Sequence, residues 1–405
     1  MRMSPELSIL TVSTLFPNSA KPSHGIFVEA RLRKLRETGE VKGSVLAPVP
    51  WLPPFLRYQS VGRVRDVPRQ RIDRGLVIRH PRYVAIPKIG MSLAPFLLAR
   101  TLYQSIGQLL ASGERIDLID AHYFYPDGVA AVWAARRFGL PVTVTARGTD
   151  LNLIPQYPVP RRLIREAAGA ADGLITVCAA LREPLCGLGI APERVTVLRN
   201  GVDLDRFRPV DREAARQKLG LTGPTLLSVG HLIARKGHHH AVAALAELPE
   251  YVLLVVGDGE ERARLAALAQ QIGVAARVRF LGALPQGEMP EIYGAADALV
   301  LASSREGWAN VLLEAMACGT PVVASAIWGT PEVVTAPEAG VLMPSLDAKG
   351  VVAGIRSLER STPDRAATRR YAEQFSWAAT TEGQLRLFRS ITEARRASVP
   401  QRFQQ

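Results

Sequence analysis

Cysteine is scarce in this chain, and the few residues present form no recognisable set. Cys178, Cys186 and Cys318 are the only three in 405 residues. Their spacing matches neither a metal-binding pattern nor the even-numbered framework of a disulfide-rich secreted domain. We therefore expect no structural zinc, and buried free thiols in a reducing compartment.

Long apolar runs are also missing. No uninterrupted apolar stretch is long enough to cross a bilayer, and the N-terminal LSILTVSTLF is a short strand-like run without a signal-peptide cleavage pattern. The expected location is therefore cytoplasmic. Because 47% of the residues are apolar, the chain can still build two cores of ordinary size.

Motifs that read nucleic acid are absent, although the chain is basic. The formal net charge is +13, and residues 1–205 hold 27 Lys and Arg against 17 Asp and Glu. There is no zinc-finger spacing, no aromatic RNA-binding signature and no helix-turn-helix pattern, so we expect no nucleic-acid partner. The basic clusters at 31–36, 63–74 and 161–165 instead favour an anionic membrane surface or an anionic acceptor. A generally arginine-rich surface would give the same clusters.

One apolar stretch supports the membrane interpretation. PWLPPFLRY sets Trp51, Leu52, Phe55 and Leu56 among prolines, directly before the second basic cluster. Such a patch is typical of a peripheral contact, here at the inner face of the cell membrane. It is equally consistent with a buried loop.

Apolar runs alternate with helical patterns along the whole chain. LSILTVST, IDLIDAH, PVTVTA, GLITVC and VTVLRN come first, and the pattern restarts after NGVDLDRFRP with TLLSVG, YVLLVVG, VRFLG, DALVLA and PVVAS. This predicts the α/β class, with two Rossmann-like parallel-sheet domains at 1–205 and 206–374 facing across a cleft. Residues 375–405 are predicted to form a helix and tail that cross back to the N-terminal domain.

Such sheets bind ligands at the carboxyl ends of their strands. DALVLASS is predicted to be a strand and VLLEAMA a helix, joined by the loop EGWAN. The first N–H groups of that helix, on Asn310, Val311 and Leu312, would face an anion such as a diphosphate. The helix is predicted to end at Gly319 and Pro321.

Two carboxylates belong to the same segment. Glu306 is predicted at the loop tip and Glu314 in the first helical turn, where both can accept hydrogen bonds from sugar and ribose hydroxyls. The spacing alone is equally consistent with a solvated loop acid and a partner of the helix dipole.

A cation follows the strand TLLSVG. Lys236 lies in GHLIARKGHHH between two glycine turns and would neutralise a diphosphate leaving group. Arg235 either serves the same anion or faces water. The adjacent histidines 238–240 point about 100° apart on a helix, so we predict no metal site there.

Four positions in the N-terminal half are further candidates. His122 follows a strand, where it would stabilise a sugar or position an acceptor, and Gly25 lets backbone approach a ligand at the start of a helix. Arg147 and Asp150, in TARGTD, are candidates for a polar rim on the acceptor side. A purely structural role is the alternative for each.

Taken together, these segments resemble the family 4 retaining glycosyltransferases of the GT-B fold over nearly the whole chain. EGWANVLLEAMACGTPVVAS is similar to the E-x7-E signature, TVLRNGVDLDRFRP to the domain-junction segment and GHLIARKG to the phosphate-binding loop. HYFYPDGVAA and TARGTDLNLIPQYP are most similar to the teichuronic-acid and exopolysaccharide branch.

The resemblance implies a role for each candidate. Lys236 would bind the diphosphate, Glu314 the ribose and Glu306 the donor sugar near its reacting carbon, with His122 close to that sugar. The remaining donor-side candidates are Gly25, His231, Arg235, Leu281, Asn310, Val311 and Leu312. The base would be held largely by backbone near VRFLG, which contains Leu281.

His231 departs from the family pattern, which usually has an arginine there. Neutral imidazole donates one hydrogen bond where guanidinium offers a fork. Either Arg235 substitutes for that arginine, or the affinity for the donor phosphate is weaker.

The implied reaction moves a sugar from a nucleoside-diphosphate sugar to a glycan or lipid-linked acceptor in cell-surface polysaccharide synthesis. It would retain the anomeric configuration and use no cofactor and no metal. Because fold alone does not fix function, two alternatives remain open. One is an epimerase or phosphorylase of the same fold, and the other is a non-catalytic partner subunit.

Overall fold

The computed structural model describes residues 6–51, 66–85, 90–361 and 363–398. Leu52, Phe55 and Leu56 of the predicted membrane contact lie outside the described residues. The chain forms two compact units, which divide between Arg199 and Asn200 and between Ala378 and Ala379. The first unit takes both ends of the chain, and the second is one continuous segment.

A mostly parallel sheet of eight strands forms the centre of the first unit, in the order β10-β9-β8-β7-β1-β2-β5-β4. The strand β4 joins the edge antiparallel to β5, and β3 and β6 form a separate parallel pair. The strands of this unit are β1 (Leu7–Val12), β2 (Val41–Leu46), β3 (Val49–Trp51), β4 (Gln70–Asp73), β5 (Leu76–Arg79), β6 (Arg82–Val84), β7 (Leu118–His122), β8 (Val142–Ala146), β9 (Gly173–Thr176) and β10 (Val195–Val197).

Helices connect these strands. The α-helices of the first unit are Ile26–Glu37, Gly90–Ala111, Val129–Phe138, Thr149–Asn152, Pro158–Ala170, Arg182–Cys186 and most of Trp377–Ser398. The last of these comes from the far end of the chain, and its apolar face enters the core. Leu385, Phe388 and Ile391 pack there with Leu7 and Leu118.

An all-parallel sheet of six strands forms the centre of the second unit, in the order β13-β12-β11-β14-β15-β16. Its strands are β11 (Thr225–Val229), β12 (Val252–Val256), β13 (Val278–Gly282), β14 (Ala298–Leu301), β15 (Val322–Ser325) and β16 (Gly340–Met343). The chain runs outward from β11 to β13 and then returns to the other side of β11. The gap between the ends of β11 and β14 is therefore a topological switch point, where open α/β sheets bind ligands.

The helices of the second unit alternate with its strands. They are Arg212–Lys218, His238–Ala244, Arg262–Gln271, Met289–Ala295, Asn310–Ala317, Thr330–Val333, Ala348–Ser361 and Arg365–Glu373. Leu226, Leu253, Val255 and Val300, from three neighbouring strands, are fully buried in the core between sheet and helices.

The predicted α/β class with two parallel-sheet units is confirmed. The ten predicted strands all occur, because each is an apolar run closed by polar or turn residues. Six of the described strands, β2 to β6 and β16, were not predicted. In β2, for example, Lys42 and Gly43 interrupt the apolar pattern. No helix within the described ranges combines the length and apolar content that a membrane span needs.

Candidate active site

The switch point brings two predicted site residues into direct contact. Lys236 ends a short turn after β11, and Glu306 lies in the loop after β14; Lys236 Nζ is 2.6 Å from Glu306 Oε1. The Ser303 hydroxyl donates to the same carboxylate oxygen at 2.7 Å. Glu306 is only 8% exposed, so this carboxylate is a buried, held group and not a solvated loop tip.

Glycines let the loops at this edge approach one another. Gly237 has φ 70°, and a Cβ added there would lie 1.8 Å from the carbonyl oxygen of Ala302, just beyond β14. A Cβ on Gly257, after β12, would lie 1.9 Å from the carbonyl oxygen of Gly230. Any side chain at these two positions would push the loops apart, so glycine is required for the close loop packing next to Lys236.

The helix Asn310–Ala317 begins at the same edge without a side-chain cap. The first N–H groups of an α-helix, here those of Asn310 and Val311, have no partner within the helix. The prediction is wrong for Leu312, because its N–H donates to the Ala309 carbonyl at 3.1 Å. The Asn310 side chain accepts a bond from Asn200 at 3.2 Å.

Glu314 lies in the second turn of this helix, not in the first as predicted, because the helix begins at Asn310. Its Oε2 accepts a hydrogen bond from the Tyr293 hydroxyl at 2.7 Å. Burial raises the pKa of Glu314, while the bond from Tyr293 and the charge of Arg206 act in the opposite direction. Within the described structure, Glu314 hydrogen-bonds neither Lys236 nor Glu306.

Arg235 and His231 use part of their hydrogen-bonding capacity inside the protein. Arg235 Nη1 donates to the Arg305 carbonyl at 3.1 Å, which ties it to the loop that carries Glu306. His231 Nδ1 is 2.5 Å from the Asp258 carbonyl, which can only accept. The Nδ1–H of His231 is therefore directed at Asp258 and not at a diphosphate.

Leu281 lies near the end of β13, at the edge of the sheet. Its side chain is half-buried. The next residue, Gly282, accepts a bond from the Gly257 N–H at 2.8 Å, so the ends of β12 and β13 meet beside it.

In the first unit, His122 ends β7 with its side chain almost wholly enclosed. Its Nδ1 accepts from Arg147 Nη2 at 2.6 Å, because guanidinium only donates. Nε2 therefore carries the proton and donates to Asp120 Oδ2, 3.0 Å away. Burial, the largest influence, lowers the pKa of His122 to about 4, so the ring is neutral near pH 7. Since both nitrogens bind protein groups, His122 is placed to position Arg147 and not to bind a sugar through its ring.

The buried network around His122 includes residues that the sequence analysis missed. Asp120 also accepts from the Thr143 hydroxyl at 2.9 Å and from Gln384 at 3.1 Å. Gln384 in turn accepts from Arg31 Nε at 2.8 Å. Because these residues are scattered from Arg31 to Gln384, no spacing in the sequence indicates that they meet.

Asp150 has a structural task. Its buried carboxylate accepts from the backbone N–H groups of Phe124 and Gly148, both at 2.7 Å, and from that of Arg147. It therefore holds the turn after β8, and does not form the polar rim that was predicted. Arg147 lies over the ring of Phe27 at 5.3 Å, and burial lowers its pKa to about 9.

The backbone conformation and packing at position 25 explain why Gly25 is a glycine. It precedes the helix Ile26–Glu37 with φ 70°, and an added Cβ would lie 2.2 Å from the Leu15 carbonyl oxygen. Close packing against Leu15 therefore requires glycine there, with or without a ligand.

The three histidines at 238–240 do not share one environment. His238 is buried with Nδ1 2.8 Å from the Ser228 hydroxyl, and the rings of His239 and His240 lie 3.9 Å apart. In the part of the chain that the structure describes, no three His, Cys, Asp or Glu residues are grouped to hold a metal ion.

Comparison with known proteins relates this geometry to a family. Residues 58–206 match the profile described as Glycosyltransferase Family 4, and residues 211–375 match Glycosyl transferases group 1. D-inositol 3-phosphate glycosyltransferase 1 of Catenulispora acidiphila is 32% identical over 96% of this chain and 97% of its own length. The putative teichuronic acid biosynthesis glycosyltransferase TuaC of Bacillus subtilis is 28% identical over 80% of this chain and 82% of its own.

Solved structures share the fold. Sucrose-phosphate synthase from Thermosynechococcus elongatus superposes with a TM-score of 0.78 at 21% identity, covering 96% of this chain and 100% of that one. Anabaena Alr3699/HepE in complex with UDP gives 0.72 at 21% identity, covering 95% and 100%. The chain therefore has the GT-B fold and belongs to the family 4 glycosyltransferases.

Proposed function

We propose that this glycosyltransferase moves a hexosyl group from a nucleoside-diphosphate sugar with retention of configuration and without a bound metal ion. The Lys236–Glu306 contact of 2.6 Å carries the proposal, because it places a cation and a carboxylate together at the switch point of the second unit. A nucleoside-diphosphate sugar needs positive charge beside its diphosphate. It also needs groups that accept hydrogen bonds from its sugar hydroxyls.

The donor class is supported by chemistry and by a structural relative. Anabaena HepE was solved with UDP and with UDP-glucose. An ammonium group has three donors, so Lys236 can keep its bond to Glu306 and still offer two to a diphosphate. The N–H groups of Asn310 and Val311 add the positive end of a helix dipole.

In the proposed reaction, the bond between the anomeric carbon and the diphosphate oxygen breaks while the acceptor oxygen bonds the same face of that carbon. The acceptor proton passes to the departing diphosphate, whose charge Lys236 and the helix N-terminus stabilise. Glu306 accepts hydrogen bonds from the donor sugar. His122 acts as a positioning residue, since it holds the Arg147 guanidinium on the acceptor side.

Two acceptor classes have support. The similarity to TuaC favours a glycan or lipid-linked acceptor in cell-surface polysaccharide synthesis. The similarity to D-inositol 3-phosphate glycosyltransferases, at 32% identity over 96% of the chain, favours an inositol phosphate. Incubation with radiolabelled donor and each acceptor in turn, followed by chromatography that separates the labelled product from unused donor, distinguishes the two.

We also propose that the first unit contacts the anionic inner face of the membrane. Arg161, Arg162 and Arg165, on the helix Pro158–Ala170, line a cavity of about 360 Å³ beside Tyr157, which is 47% exposed. Arg162 pairs with Glu166, whereas Arg161 and Arg165 make no ion pair with any described residue. Vesicles of phosphatidylcholine with phosphatidylglycerol should retain the protein, and vesicles of phosphatidylcholine alone should not. Equal partitioning onto both would contradict this contact.

Thermal stabilisation by nucleotides tests the donor site. The protein should melt at a higher temperature with one of UDP, GDP or ADP, since a ligand of the folded state raises its stability. The shift should survive EDTA if no metal takes part. No shift with any nucleotide would favour the non-catalytic alternative, and turnover of the donor sugar without acceptor would favour an epimerase.

A further inference from the structure

The contact between Tyr293 and Glu314 is a fixed pair of groups inside the second unit. Tyr293, on the helix Met289–Ala295, is fully buried, and its hydroxyl donates to Glu314 Oε2 at 2.7 Å. No other described residue hydrogen-bonds this carboxylate. One oxygen is thus bound to the protein, and Oε1 is left to accept from a ligand.

The tyrosine is held on several sides. Its ring meets that of Phe207 edge-on at 6.1 Å between centroids. The Thr320 hydroxyl donates to the Tyr293 carbonyl at 2.6 Å, and Arg365 donates to the Gly294 carbonyl at 2.9 Å. Since the ring and backbone of Tyr293 are both fixed, its hydroxyl oxygen stays in one place. The bond that it donates therefore sets the orientation of the flexible Glu314 side chain.

We propose that Tyr293 is a positioning residue that aims the Glu314 carboxylate at the ribose hydroxyls of the nucleotide, and so sets the preference for ribonucleotides. This inference rests on the proposed function and on the ribose role that the sequence resemblance implies for Glu314. A glutamate side chain has three rotatable bonds, and holding it before the ligand arrives removes an ordering cost from binding. The bond also favours the ionised carboxylate, which accepts hydrogen bonds more strongly than the acid.

Binding of ribo- and dideoxynucleotides isolates this role. The probes are UDP and 2′,3′-dideoxy-UDP, or the corresponding pair for the diphosphate that stabilises the wild type, measured by calorimetry. Tyr293→Phe should weaken binding of the ribonucleotide about tenfold, the usual effect of losing a hydrogen bond to a charged group. It should change binding of the dideoxynucleotide less than twofold, because that ligand lacks both ribose hydroxyls that Glu314 would accept from.

Tyr251→Phe is the matched control. Tyr251 also donates to a carboxylate, that of Glu359 at 2.8 Å, in the same unit. Its loss should leave the ratio of the two affinities unchanged. A general loss of rigidity would weaken the binding of both nucleotides by the same factor. If Tyr293→Phe leaves the ratio of the two affinities unchanged, the inference is overturned.

Glu314→Gln separates this inference from the proposed function. If Glu314→Gln keeps the ribose preference, the assignment of Glu314 to the ribose fails. If Glu314→Gln loses it and Tyr293→Phe keeps it, that assignment stands and the positioning role fails. Loss in both variants, with a retained folded baseline, is the expected result.

Discussion

At the scale of single residues, Lys236 is expected to matter for the rate of transfer and not for folding. Lys236→Ala should lower kcat by about 10²–10³-fold, the typical effect of removing one group that stabilises charge in the transition state. The fold should persist, because Glu306 keeps its bond from Ser303. Transfer kinetics and circular dichroism measure the two effects.

A second lysine provides the control for this prediction. Lys218 pairs with Glu291 on the surface of the same unit, with Nζ 2.5 Å from the carboxylate. Lys218→Ala should leave kcat unchanged, since an exposed ion pair contributes little. A fully active Lys236→Ala variant would remove Lys236 from the proposed phosphate site.

Asp127 is a buried carboxyl that should make stability depend on pH. Its carboxylate accepts from the backbone and hydroxyl of Thr14, and burial, the largest influence, raises its pKa from 3.8 to about 7. Between these values the folded state holds a proton that the unfolded state releases. The free energy of unfolding should therefore fall as pH rises through this window and level off above it.

Asp127→Asn removes the titrating proton while keeping groups that can bond Thr14. The variant should be more stable than the wild type by roughly 1–2 kcal/mol at pH 8, and this gap should close towards pH 4. Urea unfolding at both pH values measures it. A gap that is the same at both would show that ionisation of Asp127 is not its origin.

At the scale of elements, a helix start depends on one glycine. In Gly25→Ala the new methyl would lie 2.2 Å from the Leu15 carbonyl oxygen, at a φ of 70° that alanine disfavours. We expect a loss of more than about 2 kcal/mol in the free energy of unfolding, because backbone must move.

The variant Gly39→Ala is the control that distinguishes backbone strain from steric collision. It has φ 74°, and nothing lies within 4 Å of an added Cβ. Gly39→Ala should therefore cost only about 1 kcal/mol, the price of the left-handed backbone. Chemical denaturation of both variants tests this, and equal losses would contradict the collision at Leu15.

At the scale of the whole molecule, the two separate cores predict two unfolding transitions that can be shifted separately. Phe388, fully buried, belongs to the core of the first unit, whereas the proposed nucleotide site and its residues Lys236 and Glu306 belong to the second. Phe388→Ala should lower one calorimetric transition, since the lost side chain is worth about 3–5 kcal/mol. The diphosphate should raise the other transition.

Phe96, which is 53% exposed, supplies the control. Phe96→Ala should leave both transitions close to their wild-type temperatures, because little apolar surface is returned to water. A single transition that both changes shift together would contradict independent unfolding of the two cores.

The sequence by itself determined ten of the strands, the helix that carries Glu314 and the positions of Lys236 and Glu306 after two of the strands. Apolar runs, glycines and helix formers act over a few residues, so their consequences are local. Parallel topology then brings the ends of β11 and β14 together, and Lys236 and Glu306 with them.

Only the tertiary structure decided how the site groups are held. Tyr293 bonds Glu314, neutral His122 holds Arg147, and Gln384 joins Arg31 across 353 positions of sequence. Such partners share no spacing, because folding alone sets the distance between them. Burial then fixes their protonation and direction, since low-dielectric surroundings penalise unpaired charge.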